Sequence, residues 1–458
     1  MPDGLPRFHG LDRTTITNDI NLVLHLLALY FCWEYPIFAS LSKEHFLRDF
    51  RDRQHRYYSP LLINALLALG CRFSTHPVTR ANSKDSHSAG DHFFKESQRL
   101  FDQETDHHSL TTIQALGIMS IREASCGRDS KSRYYMGLHY AHDEGDQDEL
   151  SVKLATFWGA FSLDHVYSLV TGSLPQCSSF PHLPSKPLII KDIEAKLWVP
   201  YTDDGVPLQL PCEQQSNERS VYKCFCELKY LSWYDTMPDV LRLGYNFSPA
   251  VLFTHMYYHF AILLLFWPLI KLRIIGSQVS PRVVCLEAVN AIQDLLTSYS
   301  RLYTLKRAPS FMPCFALTSS IMQLIIMATM TFQQGIAKLA EMAPCHHIAE
   351  QALHILYYLA KEWNINVDVD TGAALKPEKY ERAFRSLAGN LSAFMPIAIV
   401  DDSISHRGTG EEAGERTLRQ LEKPAESMED LLLWPFLMQR RSILSKGKEL
   451  EEAGFAVL

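Results

Sequence analysis

The chain has no block of lysine and arginine. Its 44 basic residues are outnumbered by 51 acidic ones, the formal net charge is −7, and the pI is about 6.3. Gripping nucleic-acid phosphates needs a concentrated basic surface, so composition argues against DNA binding by this chain on its own. No apolar run marks the first 17 residues as a secretory signal. The ten cysteines are scattered over 458 residues and form no disulfide framework. The tightest pair, Cys224 and Cys226, has one residue between its members. Structural zinc sites space paired ligands by two to four residues and need a second pair, so no metal ligand is assigned. No glycine-rich phosphate loop precedes a helix, and no strand-turn-helix places a nucleophile. No catalytic residue is assigned, the cofactor-binding residues are unknown, and the chain is not expected to be an enzyme. Period-2 strand patterns and fixed-length repeats are missing too.

What the sequence does have is apolar mass arranged at helical spacing. Apolar residues make up 47% and aromatics 11%, enough for a large core. Leu22, Leu26, Leu29 and Trp33 form one stripe, and Asn18 or Asp19 can cap that helix. Ser59-Pro60 opens a second over 61–73, and further patterns run over 88–102, 109–122, 132–140 and 151–171. Others cover 220–233, 249–270, 281–303, 313–340, 346–364 and 379–391. Pro249, Pro281 and Pro313 stand where the first helical turn tolerates proline. Residues 251–270 are apolar enough to suggest a membrane span. His255 and His259 within them make lipid exposure costly, so a buried core helix is expected and no membrane.

Several polar clusters have plain explanations. His255 and His259 are one turn apart, but the glutamate of a zinc-protease helix is missing. His346-His347 and His107-His108 are adjacent, diverge on a helix, and read as surface or capping residues. The acids from Asp143 to Glu149 lack calcium-loop spacing and read as a solvated loop. Residues 401–430 hold nine acidic and four basic residues with three glycines and a proline, the composition of a solvated linker. Immediately after come Leu431, Leu433, Trp434 and Phe436. Acids beside bulky apolar residues are the composition of activation segments that fold onto a coactivator; the alternative is that residues 431–438 pack back onto the helical array.

The most specific signal is Thr156-Phe157-Trp158-Gly159-Ala160-Phe161-Ser162-Leu163-Asp164, ending at Gly172-Ser173-Leu174-Pro175. It resembles the central signature of the fungal-specific transcription factor domain, the middle homology region of zinc-cluster regulators. Phe157, Trp158, Gly159, Phe161, Asp164, Gly172 and Pro175 are the signature positions. The turn departs from the family pattern, which carries an arginine there. Tyr35-Pro36-Ile37-Phe38, Tyr58-Ser59-Pro60-Leu61-Leu62 and Ala65-Leu66-Leu67-Ala68-Leu69-Gly70 follow in family order. Residues 220–228, 233–241 and 255–271 are similar to the subgroup around the nitrate-assimilation regulator, and in all the resemblance covers about residues 20–395.

The resemblance implies an all-α fold: a large irregular helical array over 18–398, after a short disordered N-terminus (1–17) and before an acidic flexible linker and apolar C-terminal segment (399–458). It implies a nuclear regulator of RNA polymerase II genes, of a metabolic or secondary-metabolite set. In the family an N-terminal six-cysteine zinc cluster reads DNA. No such cluster precedes the domain in this sequence, so zinc is expected only there and no cofactor in this chain. Partners are expected among transcription-machinery proteins or full-length relatives, with homo- or heterodimers possible and DNA reached only through that zinc cluster. The alternative is a cluster-less interaction module that modulates full-length relatives or acts as their dominant-negative partner.

Overall fold

A computed structural model describes residues 14–104, 109–126, 147–171, 175, 183–185, 194–203, 214–226, 233–326, 329–362 and 455–457. The described residues form an all-α array, as expected, with one two-stranded ribbon. Its first half holds α1 (Ile20–Trp33), α2 (Lys43–Asp52), α3 (Pro60–Gly70), α4 (Asp91–Gln103), α5 (Leu110–Ser125) and α6 (Gln147–Thr171). Next come α7 (Glu218–Cys226), α8 (Trp233–Thr236), α9 (Pro249–Phe266), α10 (Pro281–Tyr303), α11 (Met312–Ile326), α12 (Thr329–Met342) and α13 (His347–Glu362).

The helix starts follow local chemistry. The Asp19 carboxylate accepts from the backbone N–H groups of Asn21 and Leu22, and Ser59 Oγ accepts from Leu62 N with Pro60 in the first turn. Helix α3 is buried on every face and packs on α1, α4 and α5. Helix α9 is the corresponding centre of the second half, buried from Pro249 to Tyr257 and again from Phe260 to Leu263 and packed most extensively on α10. The membrane-like stretch is therefore a core helix whose flanks go to protein. One continuous core joins the two halves: Phe38 meets Phe253 and Phe311 edge-on at 5.8 and 5.5 Å.

Three expectations change. The single helix expected over 313–340 is two helices that pack on each other, α11 and α12. Gly335 lies so close to Ser320 Oγ that a Cβ there would overlap it. Periodicity reports which residues are apolar and is blind to a chain that reverses. Second, α2 forms where no helical pattern was expected: Phe46 and Phe50, one turn apart, stack at 5.9 Å and bury its inner face. Third, the tail reading of 399–458 meets an ordered element at its end. Strand β2 (Phe455–Val457) pairs antiparallel with β1 (Leu272–Ile274), Arg273 opposite Ala456. Three-residue strands carry too little alternation to be seen in sequence. The helices expected over 132–140 and 379–391 lie outside the described residues.

Candidate functional site

The signature residues sit on α6. Trp158 is 2% exposed, and its indole N–H donates to the Ser185 carbonyl at 3.1 Å. Gly159 faces the backbone of Ala39 and Ser40, where any Cβ would overlap Ser40 Cα. That contact explains the glycine: it lets α6 lie directly on the chain leaving α1. Ser162 Oγ and Tyr222 Oη are 2.7 Å apart, tying α6 to α7. Gln114 on α5 donates to Thr156 Oγ1 at 2.9 Å. Asp164 is buried. Phe157 and Phe161 are only half-buried and stack at 6.3 Å, with the His165 ring 4.1 Å beyond. Trp158 and Asp164 point inward, while Phe157, Phe161 and His165 form an outer aromatic ridge. Pro175 is half-buried, whereas Gly172, Leu431, Leu433, Trp434 and Phe436 lie outside the described residues.

A second centre was not visible in sequence. Arg72 Nη2 donates to Glu34 Oε2 at 2.7 Å, with the two side chains 6% and 0% exposed. Arg72 Nη1 faces His346 Nδ1 at 3.4 Å, and Ser310 N donates to the other Glu34 oxygen at 3.3 Å. The group joins the end of α1, the end of α3, the segment before α11 and the start of α13. Burial pushes the Glu34 carboxyl up and the Arg72 guanidinium opposes it. Burial holds His346 well below the ordinary imidazole value, reinforced by the Arg72 charge, so the neutral ring accepts from Arg72. His346 is therefore a core residue and not a surface or capping one, because the buried ion pair recruits it. The available signal was Arg72 itself, a lone charge in the apolar run from Leu61 to Phe73.

The remaining candidates resolve individually. His255 Nε2 donates to the Leu241 carbonyl at 3.0 Å, which leaves its Nδ1 to accept from Tyr234 Oη at 2.8 Å. Tyr234 Oη in turn lies 3.4 Å from His259 Nε2. The two histidines are thus joined through a tyrosine. Desolvation lowers both imidazoles, His259 to about 4 with His255 contributing. A tiny apolar void beside them is lined by Val221, Cys224, Met237 and Val251. Burial pushes the Cys32 and Cys285 thiols up to about 12, so both are protonated at neutral pH and poor nucleophiles. His25 bonds Asp203 through Nε2 at 3.0 Å and Tyr201 Oη through Nδ1 at 2.8 Å. Asp203 also accepts from Thr75 N and Oγ1 at 2.5 and 2.8 Å, which pins the 194–203 segment across α1.

The depressed histidines fix a pH dependence. In the unfolded chain they titrate at about 6.5, so below that pH the unfolded state takes up protons that the folded state refuses. Stability is full above about pH 6.5 and falls as the pH drops towards 4. Glu34 and Glu218, both raised by burial, pull the other way. His259 alone accounts for about 1.4 kcal/mol per pH unit in that window. His259→Gln should flatten the melting temperature profile between about pH 6 and 4.5. An unchanged slope would show that His259 titrates normally in the folded chain.

These elements define a large helical array with an interior locked by aromatic and ionic contacts. Residues 27–232 match the model of the fungal specific transcription factor domain, so this part of the chain belongs to that domain family. It is 32% identical over 430 residues to the nitrogen assimilation transcription factor nit-4 of Neurospora crassa, covering 80% of this chain and 39% of the relative. It is 32% identical over 411 residues to the nitrogen assimilation transcription factor nirA of Emericella nidulans, covering 77% and 46%. The notoamide biosynthesis transcriptional activator notL' of Aspergillus versicolor is 23% identical over 311 residues, covering 57% and 48%. The chain spans less than half the length of these curated relatives. No solved structure matches it. Family and relatives alike are named as transcription regulators, not enzymes.

Proposed function

We propose that the chain is the regulatory core of a nuclear RNA polymerase II transcription regulator, acting on a metabolic or secondary-metabolite gene set. The observation that supports this most strongly is 32% identity, spread over four fifths of the chain, to nitrogen assimilation transcription factors. In this proposal DNA is reached only through a zinc cluster outside this chain, consistent with its net charge of −7. The core needs no resident cofactor to fold. Its partners are transcription-machinery proteins or full-length relatives, met as homo- or heterodimers, with Leu431, Leu433, Trp434 and Phe436 as the activation segment.

The test is a reporter driven by the full chain fused to a heterologous DNA-binding domain. Output should differ from that of the DNA-binding domain alone. Trp434→Ala with Phe436→Ala should remove the activating part. Output equal to the bare DNA-binding domain would sink the reading, and an active fusion indifferent to the double substitution would remove only the activation segment.

A further inference from the structure

Two clusters of potential metal ligands lie among the described residues: His25 with His76 and Asp203, and His87 with His347 and Glu350. The first is spent on hydrogen bonds, since Asp203 already accepts from His25 and twice from Thr75. In the second, the contacts of Glu350 run to the other candidate ligands themselves, a hydrogen bond from His347 among them. His87 stands on the short turn before α4, while His347 and Glu350 occupy the first turn of α13, three residues apart and so on one helix face. Glu350 Oε2 lies 3.2 Å from His87 Nε2 and 3.3 Å from His347 Nδ1. The two imidazole rings face each other edge-on with centroids 5.0 Å apart.

Those separations are informative. A four-coordinate zinc with bonds of about 2.0–2.2 Å has ligand–ligand edges of about 3.3–3.5 Å. The two edges to Glu350, 3.2 and 3.3 Å, are close to that length. The third is under 4.8 Å, so binding would draw the two rings together. Imidazole and carboxylate together are a zinc-type donor set. The side chains are 30%, 40% and 37% exposed, so an ion can enter from solvent. Three protein ligands leave a fourth position for water, or for His354 one turn further along the same face. His87 Nδ1, the nitrogen turned away from Glu350, has no hydrogen-bond partner. Tight zinc sites brace that second nitrogen, so the geometry suits an ion that exchanges.

We propose that His87, His347 and Glu350 form an exchangeable divalent-cation site, best matched to Zn²⁺, that clamps the turn before α4 to the start of α13. The site joins residues about 260 positions apart in sequence, which is why ligand spacing gave no sign of it. It lies beside the buried Glu34–Arg72–His346 group, because His346 and His347 are consecutive. A bound ion would hold the first turn of α13 against the first half of the array and so stiffen the junction. It is separate from any DNA-reading zinc cluster and does not depend on the proposed function.

The test uses the full chain, stripped with chelator and titrated with Zn²⁺ by calorimetry, then with Co²⁺ by visible absorption. One saturable site with micromolar affinity is expected, with the intense visible bands of tetrahedral Co²⁺ and a melting temperature that rises with Zn²⁺. His87→Gln and Glu350→Gln should each weaken binding at least about tenfold, whereas His76→Gln, in the other cluster, should leave it unchanged. Wild-type protein that shows neither saturable binding nor a Zn²⁺-dependent melting shift would overturn the proposal. So would binding that survives intact in His87→Gln, or that is lost in His76→Gln. Should a ligand variant fail to fold, the wild-type protein still decides, because the absence of both saturable Co²⁺ binding and a Zn²⁺-dependent melting shift refutes the assigned site.

Discussion

Arg72→Met should destabilise the folded chain by about 3–5 kcal/mol, because it leaves a carboxylate buried without its partner. Glu34 is fully buried, and besides Arg72 it is held by Ser310, whose backbone N–H donates at 3.3 Å. Without the guanidinium it must take up a proton or drag water inward. His346 also loses the group its Nδ1 faces. Domains of this kind have roughly 5–15 kcal/mol in all, so a large fall in melting temperature or in soluble yield is expected. The decisive companion is the double variant Glu34→Leu with Arg72→Met. Removing both charges abolishes the desolvation penalty, and replacing a buried pair by apolar groups of similar size is often neutral or better. The double variant should therefore melt well above the single one. If Arg72→Met melts like the parent, the pair contributes nothing and the junction is held by packing alone.

The second large effect belongs to the signature helix. Trp158→Ala should cost about 3–5 kcal/mol, the range for removing a buried tryptophan, and it also deprives the Ser185 carbonyl of its donor. Gly159→Val acts by a different route. No side-chain rotation relieves an overlap with the Ser40 backbone, so α6 must move away from the segment that follows α1. The bond between Ser162 and Tyr222 would be strained with it. Phe161→Ala is the internal control: the ring is half-buried on the outer ridge, and its loss should be much milder than that of Trp158. Thermal melts of the three variants check the order. Equal losses for Phe161→Ala and Trp158→Ala would mean that the inward and outward faces have been confused.

Much of this was legible in the sequence because local rules govern it. Ser59 with Pro60 and the cap at Asp19 mark helix starts that depend on only a few neighbours. Gly159 permits close packing. Its partner, Ser40, lies too far away in sequence for any local pattern to name. The same limit hid the ion pair, whose members Glu34, Arg72 and His346 come from three distant segments. It also hid the meeting of His87 with Glu350. The fold back between α11 and α12 was missed for a related reason: both helices are apolar, and a hairpin of two such helices has nearly the pattern of one long helix. The outward position of Phe157 and Phe161 was not legible, because a helical wheel gives relative angles and not which side the core lies on.

The central claim, that this chain regulates transcription through a folded helical core, is tested most directly by profiling transcripts after its gene is deleted. The account predicts a changed set of metabolic or secondary-metabolite transcripts, restored by the wild-type gene and not by one carrying Trp158→Ala. A profile indistinguishable from that of the parent strain, under conditions where the protein is made, would contradict it.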